Sequence, residues 1–220
     1  MFFSHNLPFK AMLNDLVFDI SECAKEVKEF GKLLKGKTAL KERTDILKFF
    51  RRHQHISAFI ALYDTHITKY NKIKHEYNVA GKFQADLIVG DSTKHAYCLI
   101  EFEEGAPGSI FKKKSVTRSF PEWSGRFEHG YSQIIDWFWC LDDIKKTTML
   151  EEDFGHGDFS VHGILVIGRS VNLSDTDRRR LLWRSNKVVI DSHIITCLTY
   201  DMLYEDMSAK LEQVKGMWRL

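Results

Sequence analysis

Residues 83–103 read FQADLIVGDSTKHAYCLIEFE, two apolar runs separated by the polar stretch Asp91-Ser92-Thr93-Lys94. Short runs rich in Leu, Ile and Val, divided by turn formers, mark a hairpin of two largely buried strands. If the chain reverses about Thr93-Lys94, paired residue numbers sum to a constant and Asp86 faces Glu101. Directly opposed side chains have Cβ atoms about 4.5–5.5 Å apart, and the two-residue period puts Glu103 on the face of Glu101. Three carboxylates are therefore expected to converge at one strand end.

Working outward, Ile73–Val79 reads as a preceding strand joined through Ala80-Gly81-Lys82, so that 73–79, 83–90 and 95–103 form an antiparallel meander. Upstream, Leu13, Leu16, Val17, Ile20, Ala24, Val27, Phe30 and Leu34 recur at steps of three and four, predicting an amphipathic helix over 13–34 that Gly36 ends. A second helix is predicted over 39–52, and 56–70 is undecided. Beyond the acids, 104–121 is a loop rich in Gly, Ser and Lys. A long helix follows over 126–146, then an apolar strand at 161–168 (VHGILVIG), a helix at 175–184, a short strand at 187–190 and a last helix over 194–214. This order predicts an α/β fold, a mixed β-sheet flanked by helices. Residues 1–70 are expected to form a helical N-terminal segment packed on a domain spanning 71–220.

Thirty-two Lys and Arg against thirty Asp and Glu leave a formal net charge of +2, so any basic surface for a polyanion has to be local. Cys23, Cys98, Cys140 and Cys197 are scattered without a C-x-x-C pair, which predicts buried free thiols rather than a zinc ribbon. No window approaches the roughly 20 apolar residues that span a bilayer, and the start MFFSHNLPFK lacks a signal-peptide pattern. A soluble cytoplasmic protein with no membrane partner is expected. The absence of a G-x-x-x-x-G-K-[ST] motif argues against nucleoside triphosphate hydrolysis.

Like charges opposed across a ladder are destabilising, so the acidic cluster has to face water, hold a proton or hold a cation. Hard oxygen donors suit Mg²⁺, which takes one or two carboxylates and leaves room for water and substrate phosphate. A merely solvated acidic strand end is the competing reading. The apolar Leu87, Val89, Leu99 and Ile100 weigh against it, because they make the acids punctuate a buried element beside a Gly-rich loop.

Three stretches, ADLIVGD (85–91), CLIEFEEGAPGSIF (98–111) and EWSGRFEHGYSQIIDWFWCLDD (122–143), occur in an order that resembles the Shedu family of bacterial anti-phage effectors, whose nuclease domain has a PD-(D/E)XK core. ILVIGR (164–169) before an Arg-rich helix is similar too. The resemblance covers about 73–169 and implies a restriction-endonuclease-like core. It also implies a metal-dependent endonuclease that hydrolyses phosphodiester bonds in nucleic acid, foremost DNA, in anti-phage defence.

Position by position, the resemblance implies Asp86 and Glu101 as ligands of Mg²⁺ or Mn²⁺, with the Phe102 carbonyl a third. At 103 a typical core has lysine, to orient the attacking water or stabilise negative charge. Glu103 cannot be that cation, though it could accept a proton or bind a second metal. Gln133, in a Q-x-x-x-W pattern with Trp137 on the same helix face, resembles a Q-x-x-x-Y motif of the superfamily and could hydrogen-bond a water or phosphate. Lys112, Lys113, Lys114, Arg118 and Arg126 are the candidate nucleic-acid contacts, and Lys112–Lys114 are also candidates for the cation missing at 103. Arg178-Arg179-Arg180 with Arg184 form a second basic run, and Glu76 is a candidate auxiliary acid. Glu128-His129, His53 and His55 read as structural. The rival reading is a module that keeps the nuclease fold but binds nucleic acid or regulates a partner without cutting; a purely structural interaction domain comes third. Self-association is left open.

Overall fold

The strands that carry the acids lie at the middle of a seven-stranded sheet. In the computed structural model, which describes residues 13–144, 151–155 and 158–217, the strands run in chain order as β1 (Asn14–Asp15), β2 (Lys72–Val79), β3 (Phe83–Asp91), β4 (Ala96–Phe102), β5 (Ser160–Val166), β6 (Val189–Ile190) and β7 (His193–Leu198). Their spatial order is β1-β2-β3-β4-β5-β7-β6. Pairing is antiparallel from β1 through β4, parallel for β4–β5 and β5–β7, and antiparallel again for β6–β7. The sheet is mixed because the meander turns tightly, whereas β5 and β7 are reached through helical crossovers. The helices are α1 (Ile20–Gly36), α2 (Lys48–Arg52), α3 (Gln54–Phe59), α4 (Gly125–Ile144), α5 (Glu151–Phe154), α6 (Asp175–Lys187) and α7 (Tyr200–Met217).

Alternation along β4 separates two apolar layers. Cys98, Ile100 and Phe102 pack into the layer under α1, α2, α3 and α7, while Tyr97 and Leu99 pack into the layer under α4 and α6. On the first face α1 buries Cys23, Val27, Phe30 and Leu34, and each such side chain contributes about 1.5–3 kcal/mol when fully withdrawn from water. The buried Arg169 ties this layer together: its guanidinium pairs with Asp201 of α7 at 2.9 Å and donates to the Leu34 and Lys37 carbonyls at 3.0 and 2.7 Å. It thereby satisfies carbonyls that the C-terminus of α1 leaves open.

Three boundaries depart from the sequence reading. The first helix begins at Ile20 rather than 13, because Asp19 caps it by accepting from the Ser21 and Glu22 N–H groups at 2.7 and 3.0 Å, and Asn14–Asp15 pair with β2 instead. The second helix is split: Leu40 bridges to Gly105, a π-helical turn covers Glu42–Leu47, and α2 follows. The helix expected over 194–214 starts with a strand. Asp191 and Ser192, both at positive φ (47° and 66°), form the two-residue turn of a β6–β7 hairpin, and α7 begins only at Tyr200. The long helix expected over 126–146 is α4 as far as Ile144, and its last two residues lie outside the described residues, as does the MFFSHNLPFK start.

Candidate active site

The β3–β4 ladder runs from Asp91↔Ala96 to Leu87↔Ile100, the register that brings Asp86 opposite Glu101. Past its last pair the Asp86 carboxylate takes over, with Oδ2 accepting from the Phe102 N–H at 2.9 Å. Ile100 and Phe102 belong to the α1 side, so Glu101 and Glu103, offset by one, turn to the α4 side. Helix α4 comes close there because residue 130 is glycine: a Cβ at Gly130 would lie 3.2 Å from Glu103 Cγ and 2.8 Å from Leu165 Cδ1.

Burial and mutual repulsion govern these acids. Glu101 and Glu103 are only 8% and 3% exposed. Desolvation raises the Glu101 carboxyl well above the usual carboxylate range, and Asp86, Glu103 and Glu42 push it in the same direction. Asp86 is likewise raised by burial and by Glu42 and Glu103, against the lowering effect of the Phe102 N–H bond. A second aspartate of the same strand behaves oppositely. Asp91 accepts from Thr68, Lys69 and Thr93, and these bonds overcome its burial and hold its carboxyl far below the ordinary value. Asp91 braces the hairpin turn, whereas Asp86 sits under electrostatic stress.

The cation beside Glu103 comes from α4. Arg126 Nη1 donates to Glu103 at 2.7 Å and lies 3.3 Å from Glu42, and its Nε is 3.1 Å from Glu104. The Lys112–Lys114 run does not take that place: Lys112 pairs with Glu122 of its own loop at 3.0 Å, and Lys113 and Lys114 are exposed. Glu103 remains raised overall, by burial first, with Arg126 opposing. Beneath it the buried Tyr200 hydroxyl donates to the Glu103 carbonyl, fixing the end of β4 to the start of α7. Tyr200→Phe leaves that carbonyl without its donor and is expected to cost about 1–3 kcal/mol, read as a lower urea midpoint at unchanged m value.

The chain matches the family described as Shedu protein SduA, C-terminal, over residues 39–204. It belongs to the Shedu family. That membership points to anti-phage defence. The match begins just before Glu42 and reaches Tyr204, so Glu42, Arg126 and Tyr200 all fall inside the family region together with the three acids. Comparison with curated proteins gives no match.

Whether a divalent ion fits this Shedu-family centre turns on its donors. Among the described residues no group of three or more His, Cys, Asp or Glu side chains is set out to hold a metal. With Glu103 drawn to Arg126, the half-buried Asp86 and the buried Glu101 remain as a pair of hard oxygen donors. Two carboxylates suffice for Mg²⁺, which keeps several waters, and a cation relieves the repulsion that raises both groups. Gln133 lies on the α4 face of Arg126 and Gly130, and its Oε1 is buried without a hydrogen-bond partner. An acceptor left orphaned beside an acidic centre suits a bound water. These residues therefore fit a two-carboxylate ion with water around it.

The remaining candidates have these places. Trp137 is fully buried one turn past Gln133, a core residue. Glu76 sits across the β2–β3 ladder from Asp86, between the pairs His75↔Leu87 and Tyr77↔Ala85, at φ 52° and ion-paired with Arg51 at 2.6 Å. A non-glycine residue in the left-handed region within a strand is a strained feature of the kind that clusters at working sites. Arg118 pairs with Glu122. His53 contacts Glu29, and His55 accepts from the Asp19 N–H, both within the helical layer. Glu128 is held in a two-bonded pair with Arg184 at 2.7 and 2.8 Å. The four cysteines are free and buried, and no described helix is long and apolar enough to cross a membrane.

Proposed function

We propose that this Shedu-family chain is a metal-dependent endonuclease of PD-(D/E)XK type that hydrolyses phosphodiester bonds in DNA as part of anti-phage defence in the cytoplasm, where buried free thiols stay reduced. The observation that carries the reading is the burial of Asp86 against Glu101 at a strand end, an arrangement that costs stability unless a cation or protons compensate. Asp86 and Glu101 would hold Mg²⁺ or Mn²⁺, with the Phe102 carbonyl as a further donor. The bound ion supplies Lewis acidity toward a phosphoryl oxygen and makes a water more acidic. The chain's own residues do the rest. The Phe102 N–H orients the Asp86 carboxylate. Glu103, its carboxyl raised by burial, is a stronger base than an ordinary carboxylate and is suited to accept a proton from the attacking water. Arg126 beside it supplies the positive charge that a typical core draws from lysine, and Gln133 offers its free oxygen to water.

Plasmid incubated with wild type, Asp86→Ala and Glu101→Ala in Mg²⁺, Mn²⁺ and EDTA tests this. Cleavage is expected only with metal. Each substitution is expected to reduce it at least about a hundredfold, since even outer-shell partners of a metal site are worth roughly 10- to 100-fold. Cleavage that survives both substitutions sinks the reading. The grip of Arg126 on Glu103 and the lack of a three-donor set favour a second reading, a nuclease-fold module that binds without cutting. Its signature is steeply salt-dependent DNA binding with no cleavage under any metal.

A further inference from the structure

Charge is unevenly spread over this nearly neutral chain. The loop over 106–121 carries four cations and no acid, and α6 carries five cations and two acids, so these two segments hold a net +7 in a chain whose formal net charge is +2. Arg126 and Gly130 of α4 face the acidic centre, whereas Tyr131 of the same helix lies under Arg184 of α6. A cleft of about 660 Å³ runs between the loop and the start of α6, lined by Lys112, Lys113 and Lys114. A second cleft of about 470 Å³ adjoins it, lined by Trp123, Arg180, Trp183, Arg184 and Val188.

Arg180 is the wall between the two. Its guanidinium lies 4.6 Å from the Phe111 ring and 5.9 Å from Phe120, both in the lysine cleft, and 5.4 Å from Trp123 in the other. Pro121 O accepts from its Nη1 at 2.8 Å, which fixes the plane. Arg184 is set just as firmly, stacked 4.2 Å over Tyr131 and 4.8 Å over Trp123 while paired with Glu128. Trp123 is itself packed against Phe111 and Phe127. Trp183 differs. It points out of α6 with 63% of its surface exposed, the largest apolar side chain a helix could leave in water, beside two immobilised guanidiniums.

An exposed indole next to planar cations, with a lysine-lined cleft across Arg180 from it, has the chemistry that single-stranded nucleic acid needs: π faces for unpaired bases and positive charge for the phosphates. Protein interfaces are also enriched in Trp and Arg but depleted of Lys, so the lysine-lined cleft beside this indole and the net +7 of the two segments favour a polyanion over a protein. We infer that the Trp183 cleft stacks an unpaired base of a DNA strand whose backbone follows the Lys112–Lys114 groove, so that the chain engages its substrate at single-stranded or locally opened DNA. The inference names the form of the substrate and so rests on the nuclease reading, but binding alone can test it.

The test is fluorescence anisotropy in EDTA with a labelled oligo-dT and a duplex of equal length, using wild type, Trp183→Ala, Trp183→Phe and Arg180→Gln. Trp183 is exposed, so its two substitutions should leave the melting temperature unchanged, and all three variants are checked for folding first, since Arg180 packs over Phe111, Phe120 and Trp123. Oligo-dT is expected to bind more tightly than the duplex and to quench tryptophan fluorescence. Trp183→Ala is expected to weaken oligo-dT binding roughly tenfold or more, Trp183→Phe to restore most of it, and Arg180→Gln to weaken it. Equal oligo-dT affinity for wild type and Trp183→Ala would overturn the inference. So would loss of self-association in sedimentation on Trp183→Ala with DNA binding unaltered, which would make the cleft a contact between copies. Because EDTA removes cleavage from the readout, a chain that fails to cut but still stacks oligo-dT refutes the nuclease reading alone. Metal-dependent cleavage untouched by Trp183→Ala, with oligo-dT affinity also untouched, refutes only the stacking site.

Discussion

Glu101→Gln is expected to make the metal-free protein more stable at neutral pH while removing its response to Mg²⁺. The sign follows from the direction of the shifts. Burial and the neighbouring Asp86 and Glu103 hold the Glu101 carboxyl above its unfolded value, so the folded state binds the proton more tightly than the unfolded chain does. That contribution is fully present below about pH 4, near the unfolded value, and is lost as pH rises through the raised folded value. Wild type in EDTA should therefore lose this contribution between about pH 4 and pH 10, with much of the loss already present at pH 8, the reverse of ordinary acid denaturation. Glutamine keeps the shape and carries no charge to desolvate, so the variant should gain on the order of 2 kcal/mol at pH 8, or about 5 °C in melting temperature for a chain of this size. Mg²⁺ should recover a comparable gain in wild type by mass action and none in the variant. Thermal melts at pH 5 and pH 8, with EDTA or Mg²⁺, make the comparison. A variant no more stable than wild type at pH 8 would show that Glu101 is solvated rather than stressed.

What the sequence revealed of this centre and what it concealed have separate physical causes. The Asp86–Glu101 register was legible because two buried apolar runs and a polar turn leave one pairing that keeps Leu87 and Ile100 in the same layer. The mixed sheet was legible from the order of the strands and helices. Strand β7 was not, since IITCLTYDML is apolar at both periods, although the Asp191-Ser192 pair before it was a usable turn signal. Glu42, Arg126 and Tyr200 were hidden for another reason. They reach the acids from a π-helical turn, from α4 and from α7, and no local period records which distant helix supplies a counter-charge. Arg126 accordingly read as a contact for nucleic acid, because an arginine near a helix start carries no mark of its partner.

That partner changes what restoring the usual lysine should do. From the motif alone, Glu103→Lys is the substitution that repairs a weakened nuclease. In the fold, position 103 is 3% exposed and its carboxylate lies 2.7 Å from a guanidinium, so the substitution sets two cations against each other in a site with little water. Breaking a fully buried pair costs about 3–5 kcal/mol. Arg126 is 41% exposed and Glu42 and Glu104 stay at hand, so a loss of about 2 kcal/mol is expected, with cleavage no higher than in wild type. Glu103→Lys combined with Arg126→Gln should behave differently. The new ammonium would then take the place of the guanidinium among Glu42, Glu104, Asp86 and Glu101, and could serve them as the arginine does. Recovery of at least half the lost stability in the double variant, against a further loss if the two changes were independent, is the coupling that a double-mutant cycle reads. Strict additivity would mean that the Arg126–Glu103 pair does not stand in for the lysine. Strong coupling with cleavage restored would mean that the cation matters to the chemistry and that its point of attachment to the fold does not.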